Sequence, residues 1–336
     1  MSKSGIVFAG NILVDVVKNI TEFPQVGMLA TITSVKQAVG GAVPNTAIDL
    51  AKIDANVPIK ALGRVGDDAY GQYVTGMMQS HGINTEGVIV TPEAPTSFSD
   101  VMSDVSTGER TFFHARGANA LFAPEDIDVD ALDCDIFHIG YILLLDTMDE
   151  ADPEYGTRLA RLLAKIQAKG IKTSIDVVSD SSLRFKEKIV PALKYCNYAI
   201  MNEIEGCGVS GLNPRNADGS IHTENIYNTM KQMMELGVKD RVILHSKEAG
   251  FMLTSDGIFR TADAIDIDPV RIAGKVGAGD AFCAGCLYGL YTGMDNDRLL
   301  DFASAAAVCN LTAADSISGM RTAEEIWKIV ENGKLA

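Results

Sequence analysis

The chain has 336 residues and a formal net charge of −15, with 47% hydrophobic and 22% charged residues. That balance argues against disorder, and without a lysine or arginine cluster the negative charge argues against nucleic acid and acidic membrane surfaces as partners. The length predicts one large domain or two ordinary ones around a substantial core.

Residues 1–10 lack the basic region and apolar core of a signal peptide, and no apolar run reaches the roughly 20 residues that span a bilayer. A cytoplasmic location without membrane association is therefore expected. Six cysteines (Cys134, Cys196, Cys207, Cys283, Cys286 and Cys309) are scattered through apolar segments and read as free buried thiols. Cys283 and Cys286 form a CxxC, but they fall inside a predicted helix and read as packing residues.

The first strand spans residues 6–9 and ends in Gly10-Asn11. A second run, 12–17, carries a single acid, Asp15, either a turn acceptor or a ligand for hydroxyls. A β-rich segment at 30–39 is broken by Gly40-Gly41. These glycines permit close approach of a ligand to the backbone, and Asn45 offers both a donor and an acceptor; a flexible strand-to-helix connection is the alternative.

A strand at 58–63 leads into Gly63-Arg64-Val65-Gly66-Asp67-Asp68, which reads as a tight loop capped by Asp67 or Asp68 into a helix at 69–80. Short strand-like runs at 88–90, 96–102 and 110–114, with a turn between Asp104 and Glu109, lack intervening helices. They predict a small antiparallel sheet attached to something larger.

After Pro124 apolar runs at 136–139, 173–175, 198–201 and 242–244 alternate with helical stretches such as 155–169 and 226–236. This pattern predicts βαβ units: a doubly wound, mainly parallel α/β sheet with helices on both faces. Ligands of such sheets bind beyond the carboxyl ends of the strands. Asn202 and Glu205 stand there, three residues apart, and suit magnesium as oxygen ligands. Equally, they fit a capping box at a helix start.

Gly277-Ala278-Gly279-Asp280 precedes an apolar small-residue helix. Glycines at a helix N-terminus let backbone amides converge on an anion. A carboxylate there cannot favour that anion, so Asp280 makes sense as a base removing a proton from an attacking hydroxyl. At an ordinary carboxyl pKa of about 3.9 it would be ionised at neutral pH. The alternative is a helix whose Asp is only its cap.

Four stretches together resemble the ribokinase-like, or PfkB-type, carbohydrate kinases over nearly the whole chain. They are Gly40-Gly41-Ala42-Val43-Pro44-Asn45, the loop from Gly63 to Gly71, Asn202-Glu203-Ile204-Glu205, and Gly277-Ala278-Gly279-Asp280. The resemblance implies an α/β nucleotide- and sugar-binding domain (residues 1–11, 40–87 and 116–336) with a β lid (12–39 and 88–115). It implies ATP-dependent phosphoryl transfer to a hydroxymethyl of a fructose- or ribose-like sugar. Asp280 would be the base and the amides of Gly277, Ala278, Gly279 and Asp280 the anion hole. Asp15, Gly41 and Asn45 would hold sugar hydroxyls, and Asn202 and Glu205 would organise Mg2+ and the ATP phosphates. His245 and Gly250 lie in the nucleotide loop, and a homodimer through the lid is implied.

Several places depart from the family pattern. Gly274-Lys275-Val276 lacks an acid that helps to form a potassium site in several relatives, so a monovalent cation is not carried over. The run Gly140-Tyr141-Ile142-Leu143-Leu144 offers no glutamate of the kind ribose kinases use for their sugar. His114 and Arg116 partly resemble kinases of keto-deoxy acids, which makes Arg116 a candidate for a carboxylate-bearing substrate or else a lid surface charge. A ketodeoxygluconate or nucleoside kinase, and a catalytically silent sugar sensor, are the alternatives within this fold. No G-x-G-x-x-G or G-x-x-x-x-G-K-[ST] pattern supports a dinucleotide oxidoreductase or a P-loop NTPase.

Overall fold

The structure, a computed structural model, describes residues 4–335 apart from 105, 108 and 180–183. Residues 1–3 and 336 of the expected larger domain, and two positions of the turn expected between Asp104 and Glu109, lie outside the described residues.

Nine strands form the main sheet. In chain order they are β1 (Ile6–Gly10), β4 (Ile59–Gly66), β5 (Asn84–Thr91), β8 (Ile136–Ile142), β9 (Lys172–Val177), β10 (Tyr198–Asn202), β11 (Arg241–His245), β12 (Ala249–Thr254) and β13 (Phe259–Asp263); across the sheet they lie β13-β12-β11-β10-β9-β8-β1-β4-β5. The seven from β5 to β11 are parallel, and β12 and β13 close one edge as an antiparallel pair. A second sheet holds β2 (Leu13–Ile20), β3 (Ile32–Gly40), β6 (Ser97–Asp104) and β7 (Arg110–Ala115) in the order β3-β2-β6-β7.

Both faces of the main sheet are covered, which is why its central strands read as unbroken apolar runs. In β1, Ile6 and Phe8 enter one core while Val7 and Ala9 enter the other, following the two-residue period of a strand. The first core contains α1 (Ala42–Ile53), α2 (Ala69–Ser80), α6 (Ala278–Thr292), α7 (Asn296–Asn310) and α8 (Ala323–Asn332). The second contains α3 (Arg158–Ala168), α4 (Glu203–Ser210) and α5 (Thr223–Glu235). All six cysteines are free and buried, Cys283 and Cys286 within α6.

Two expectations are corrected by the pairing. Residues 88–90 belong to β5, which follows α2 back into the main sheet beside β4 as an ordinary βαβ crossover. The small sheet is mixed: β2 pairs antiparallel with β3 but parallel with β6. Between β2 and β6 the chain passes through β3, α1, β4, α2 and β5, so β6 enters from the same end as β2. The stretch Gly63 to Gly66 continues β4 rather than forming a loop, and Asp68 is the cap, accepting from the Gly71 amide at 2.8 Å.

Candidate active site

The carboxyl ends of β8, β9 and β10, the N-termini of α1 and α6 and one face of the small sheet surround a cavity of about 1260 Å³. That exceeds the roughly 300–1,000 Å³ of a single small-molecule site, leaving room for two ligands. Asp15, Gly41, Asn45, Arg116, Asn202, Gly277 and Asp280 all line it.

Asp280 sits in the first turn of α6, nearly buried at 7% exposure. Its Oδ2 accepts from Asn45 Nδ2 at 3.0 Å, and its Oδ1 accepts from the Tyr141 hydroxyl. Ser316 Oγ in turn donates to Asn45 Oδ1 at 2.7 Å, which fixes the amide's orientation. Burial pushes the Asp280 carboxyl up to about 6, against the pull of the two hydrogen bonds. The ordinary value expected from sequence is thereby corrected, because burial disfavours the charged form. Asp280 still remains mainly ionised at pH 7.

Gly277 precedes α6 with φ of 78°, and a side chain there would meet Ser316 Cβ at 2.5 Å. Only glycine gives both that backbone and that contact. Ala278 and Gly279 form the start of α6, whose first amides have no carbonyl partner within the helix and carry its positive dipole end. The Gly277 to Asp280 turn thus presents donors and a carboxylate together. At the other wall Gly41, φ 89°, opens α1 where a Cβ would strike Asn11 O at 2.6 Å.

Asp15, on β2, is held at about 7, first by burial and then by the charge of Asp280, with the Ser99 hydroxyl pulling it down. Basic groups also line the cavity: Arg110, His114, Arg116, Arg184 and Lys275. Arg116 Nη1 donates to Leu143 O at 2.7 Å and to Asp146 Oδ1 at 2.8 Å, so it is anchored at the rim rather than loose on the surface. His114 Nδ1 lies 3.1 Å from Ser99 Oγ. Burial, then the Arg116 charge, lowers its pKa. Arg110 makes no ion pair among the described residues.

Asn202 and Glu205 form the capping box: the Glu205 amide donates to Asn202 Oδ1 and the Asn202 amide to Glu205 Oε2, both at 2.9 Å. Ser179 Oγ adds a bond to Glu205 Oε1 at 2.8 Å. Capping does not use up the carboxylate, because each oxygen keeps a further lone pair. Burial pushes Glu205 up to about 7. Asp176, at the end of β9, is driven well above the carboxylate range by burial and then by the charges of Glu205 and Asp280. Glu205 and Asp176, two buried and mutually repelling carboxyls with the Asn202 amide beside them, offer only oxygen donors and fit a hard divalent cation such as magnesium. Behind Asp176, His138 and Cys283 bring their ligand atoms within 4.8 Å of its carboxyl, but His138 Nδ1 is engaged by Ser174 Oγ at 2.9 Å in the core.

His245 ends β11 with its ring 4.9 Å from that of Phe282, and burial lowers its pKa to about 4. Gly250 pairs with it across β12 and packs on Phe282 and Leu300, inside the sheet and off the cavity wall. The residues that sequence reasoning missed are Tyr141, Asp176, Ser99 and Ser316. Tyr141 and Asp176 follow the same strand-end rule that singled out Asn202, and applying it to every strand would have found both.

A model of the pfkB family of carbohydrate kinases matches residues 3–323. The chain is 25% identical over 312 residues to the 5-dehydro-2-deoxygluconokinase of Listeria innocua, covering 88% of this chain and 87% of that one. Its fold superposes on the Arabidopsis thaliana ribokinase complexed with ribose and ATP, with a TM-score of 0.80 at 20% identity over 98% of this chain and 99% of that one. A putative ribokinase II from E. coli, in complex with ATP and Mg2+, gives 0.75 at 19% identity with the same coverage.

Proposed function

The chain belongs to the pfkB family of carbohydrate kinases, and from that premise we propose that it moves the γ-phosphoryl group of ATP to a hydroxymethyl of a small keto-type sugar acid. The observation that carries the substrate class is the basic lining of the cavity, Arg110, His114, Arg116, Arg184 and Lys275, in a chain of net charge −15. Arg110 and Arg116 stand at the two ends of β7, in the small sheet that also carries Asp15, and a neutral fructose- or ribose-like sugar has no use for such charges there. The curated relatives, named for 5-dehydro-2-deoxygluconate, support the same reading.

In this mechanism Asp15, Gly41 and Asn45 hold the sugar's hydroxyls, and Arg116 with Arg110 receives its carboxylate. Asp280 takes the proton from the attacking hydroxymethyl oxygen. As the new P–O bond forms, the bond from the γ-phosphorus to the bridging oxygen breaks and ADP leaves with that electron pair. Negative charge on the transferring oxygens meets the amides of the Gly277 to Asp280 turn. Asn202 and Glu205, with Asp176 beside them, would hold magnesium, which supplies charge neutralisation for the nucleotide phosphates. His245 and Gly250 stand nearest the expected nucleotide loop. The four-stranded sheet acts as the lid over the acceptor. The exposed Val26, Met28 and Leu29 of its β2–β3 connection, with Ile32 and Val35 of β3, favour pairing of two copies. No helix among the described residues is long and apolar enough to cross a membrane, and cytoplasmic work on a soluble metabolite fits this chemistry.

The test is ADP release with magnesium across pentoses, ketohexoses, nucleosides and keto-deoxy sugar acids, with and without potassium. A sugar acid giving the highest kcat/KM is expected. A neutral ketose or nucleoside outperforming every acid would overturn the substrate class.

A further inference from the structure

Asp280 is surrounded by acids. Asp15 faces it from β2, Asp49 from α1, Asp176 from β9 and Glu205 from α4, and every one of these couples unfavourably to its charge. Within hydrogen-bond reach the opposing influence comes from two neutral donors on different elements, Asn45 on α1 and Tyr141 on β8. The Tyr141 side chain is half-buried at the cavity wall, and desolvation followed by the nearby acids holds its pKa well above the ordinary tyrosine value, so it stays protonated and can only donate to a carboxylate.

The backbone around Tyr141 is tightly set. Its amide donates to Asn11 Oδ1, while the Asn11 amide donates to Gly140 O at 2.8 Å. Asn11 is wholly buried where β1 passes into β2, the strand that carries Asp15 into the small sheet. A side chain at Gly10 would come within 1.8 Å of Gly140 O, so the two strand ends lie in direct backbone contact.

We propose that Tyr141 is a positioning residue for the base: its hydroxyl occupies one lone pair of Asp280 Oδ1, fixes the carboxylate plane together with Asn45, and keeps the base ionised among its acidic neighbours. The inference deepens the kinase reading and rests on it. With Oδ1 and Oδ2 each tied to one wall, the remaining lone pairs are directed and ready for the acceptor's proton. Tyr141 therefore sets the lower pH limit at which the enzyme works.

The experiment compares wild type with Tyr141→Phe by infrared titration of the Asp280 carboxyl, its band identified as the one lost in Asp280→Asn, and by the pH profile of kcat/KM. Loss of a hydrogen bond to a charged group raises proton affinity about ten- to a hundredfold. The acid limb of kcat/KM moves up by the same factor, and turnover recovers at alkaline pH with the sugar KM little changed. Replacing the phenol at 141 by its more acidic 3-fluoro derivative shifts both readings the opposite way, and keeps the test open if the Phe variant folds poorly. An Asp280 band that titrates at its wild-type pH in the variant overturns the proposal, as does lowered stability with an unmoved acid limb. Absence of acceptor-dependent ADP release in wild type would instead count against the kinase reading, and the infrared titration would still decide the role of Tyr141.

Discussion

Asn45 in the first turn of α1 donates to Asp280 in the first turn of α6 at 3.0 Å, across 235 residues of chain. The glycine-rich start of one helix and the glycine-rich start of another thus meet at a single carboxylate. The same Asn45 amide is held from behind by Ser316, so the contact is oriented rather than incidental.

Replacing Asp280 by Asn keeps the shape and removes the proposed base. Turnover should fall about 10² to 10⁴-fold, the usual worth of general-base help. Acceptor binding, measured by calorimetry, should stay within a few-fold of wild type. Turnover near the wild-type rate would show that the proton goes elsewhere.

The pH profile follows from the elevated carboxyl of Asp280, at about 6. Only the ionised form accepts a proton, so kcat/KM should fall about tenfold per pH unit below that value and flatten above it. An acid limb near the ordinary carboxylate value of about 4 would contradict the burial seen here.

Arg110→Met tests acid recognition without disturbing the Arg116–Asp146 pair. The KM for a sugar acid should rise by about one to two orders of magnitude, the cost of losing a charge-assisted contact, while the KM for a neutral analogue stays put. Equal losses on both substrates would place Arg110 outside the acceptor site.

Asp49 is wholly buried in α1 with no hydrogen-bond partner for either carboxylate oxygen among the described residues, and burial followed by the Asp280 charge raises its pKa well above the ordinary value. A raised folded-state pKa means that stability is fullest below the unfolded carboxyl pKa and is lost as pH rises towards the folded value. Asp49→Ala should therefore add about 1–3 kcal/mol at neutral pH and flatten the fall in Tm between acidic and neutral pH. A destabilised variant at pH 7 would mean that the carboxyl has a partner.

At Gly277, alanine would need a backbone with φ of 78° and space already filled by Ser316. Gly277→Ala should cost at least 1–3 kcal/mol of stability, by strain of the kind non-glycine residues suffer there. On the proposed mechanism it should also lower kcat more than it raises the acceptor KM, because the amides it displaces are assigned there to the transferring phosphoryl group. A change in KM alone would remove them from that role.

Much of this architecture was legible in the order of residues. Parallel strands buried on two faces are continuous apolar runs, and helix starts carry their own capping and glycine signals; both are local, so the α/β class, the Asn202–Glu205 capping box and the helix start at Gly277 to Asp280 could be read directly. Pairing partners were not legible in the same way. Whether residues 88–90 join β4 or the small sheet, and whether β6 runs with or against β2, depends on the path taken by the intervening elements.

The linear chain by itself determined which residues can cradle an anion, cap a helix or fill a core, because those abilities depend on a residue and its near neighbours. Only the folded arrangement decided that Tyr141 and Asn45 grip one carboxylate, that Asp176 and Glu205 come under its charge, and that Arg116 is anchored to Asp146. Proton affinity and charge complementarity arise from burial and from distances between groups far apart in sequence, so they come into being only when the chain closes around them.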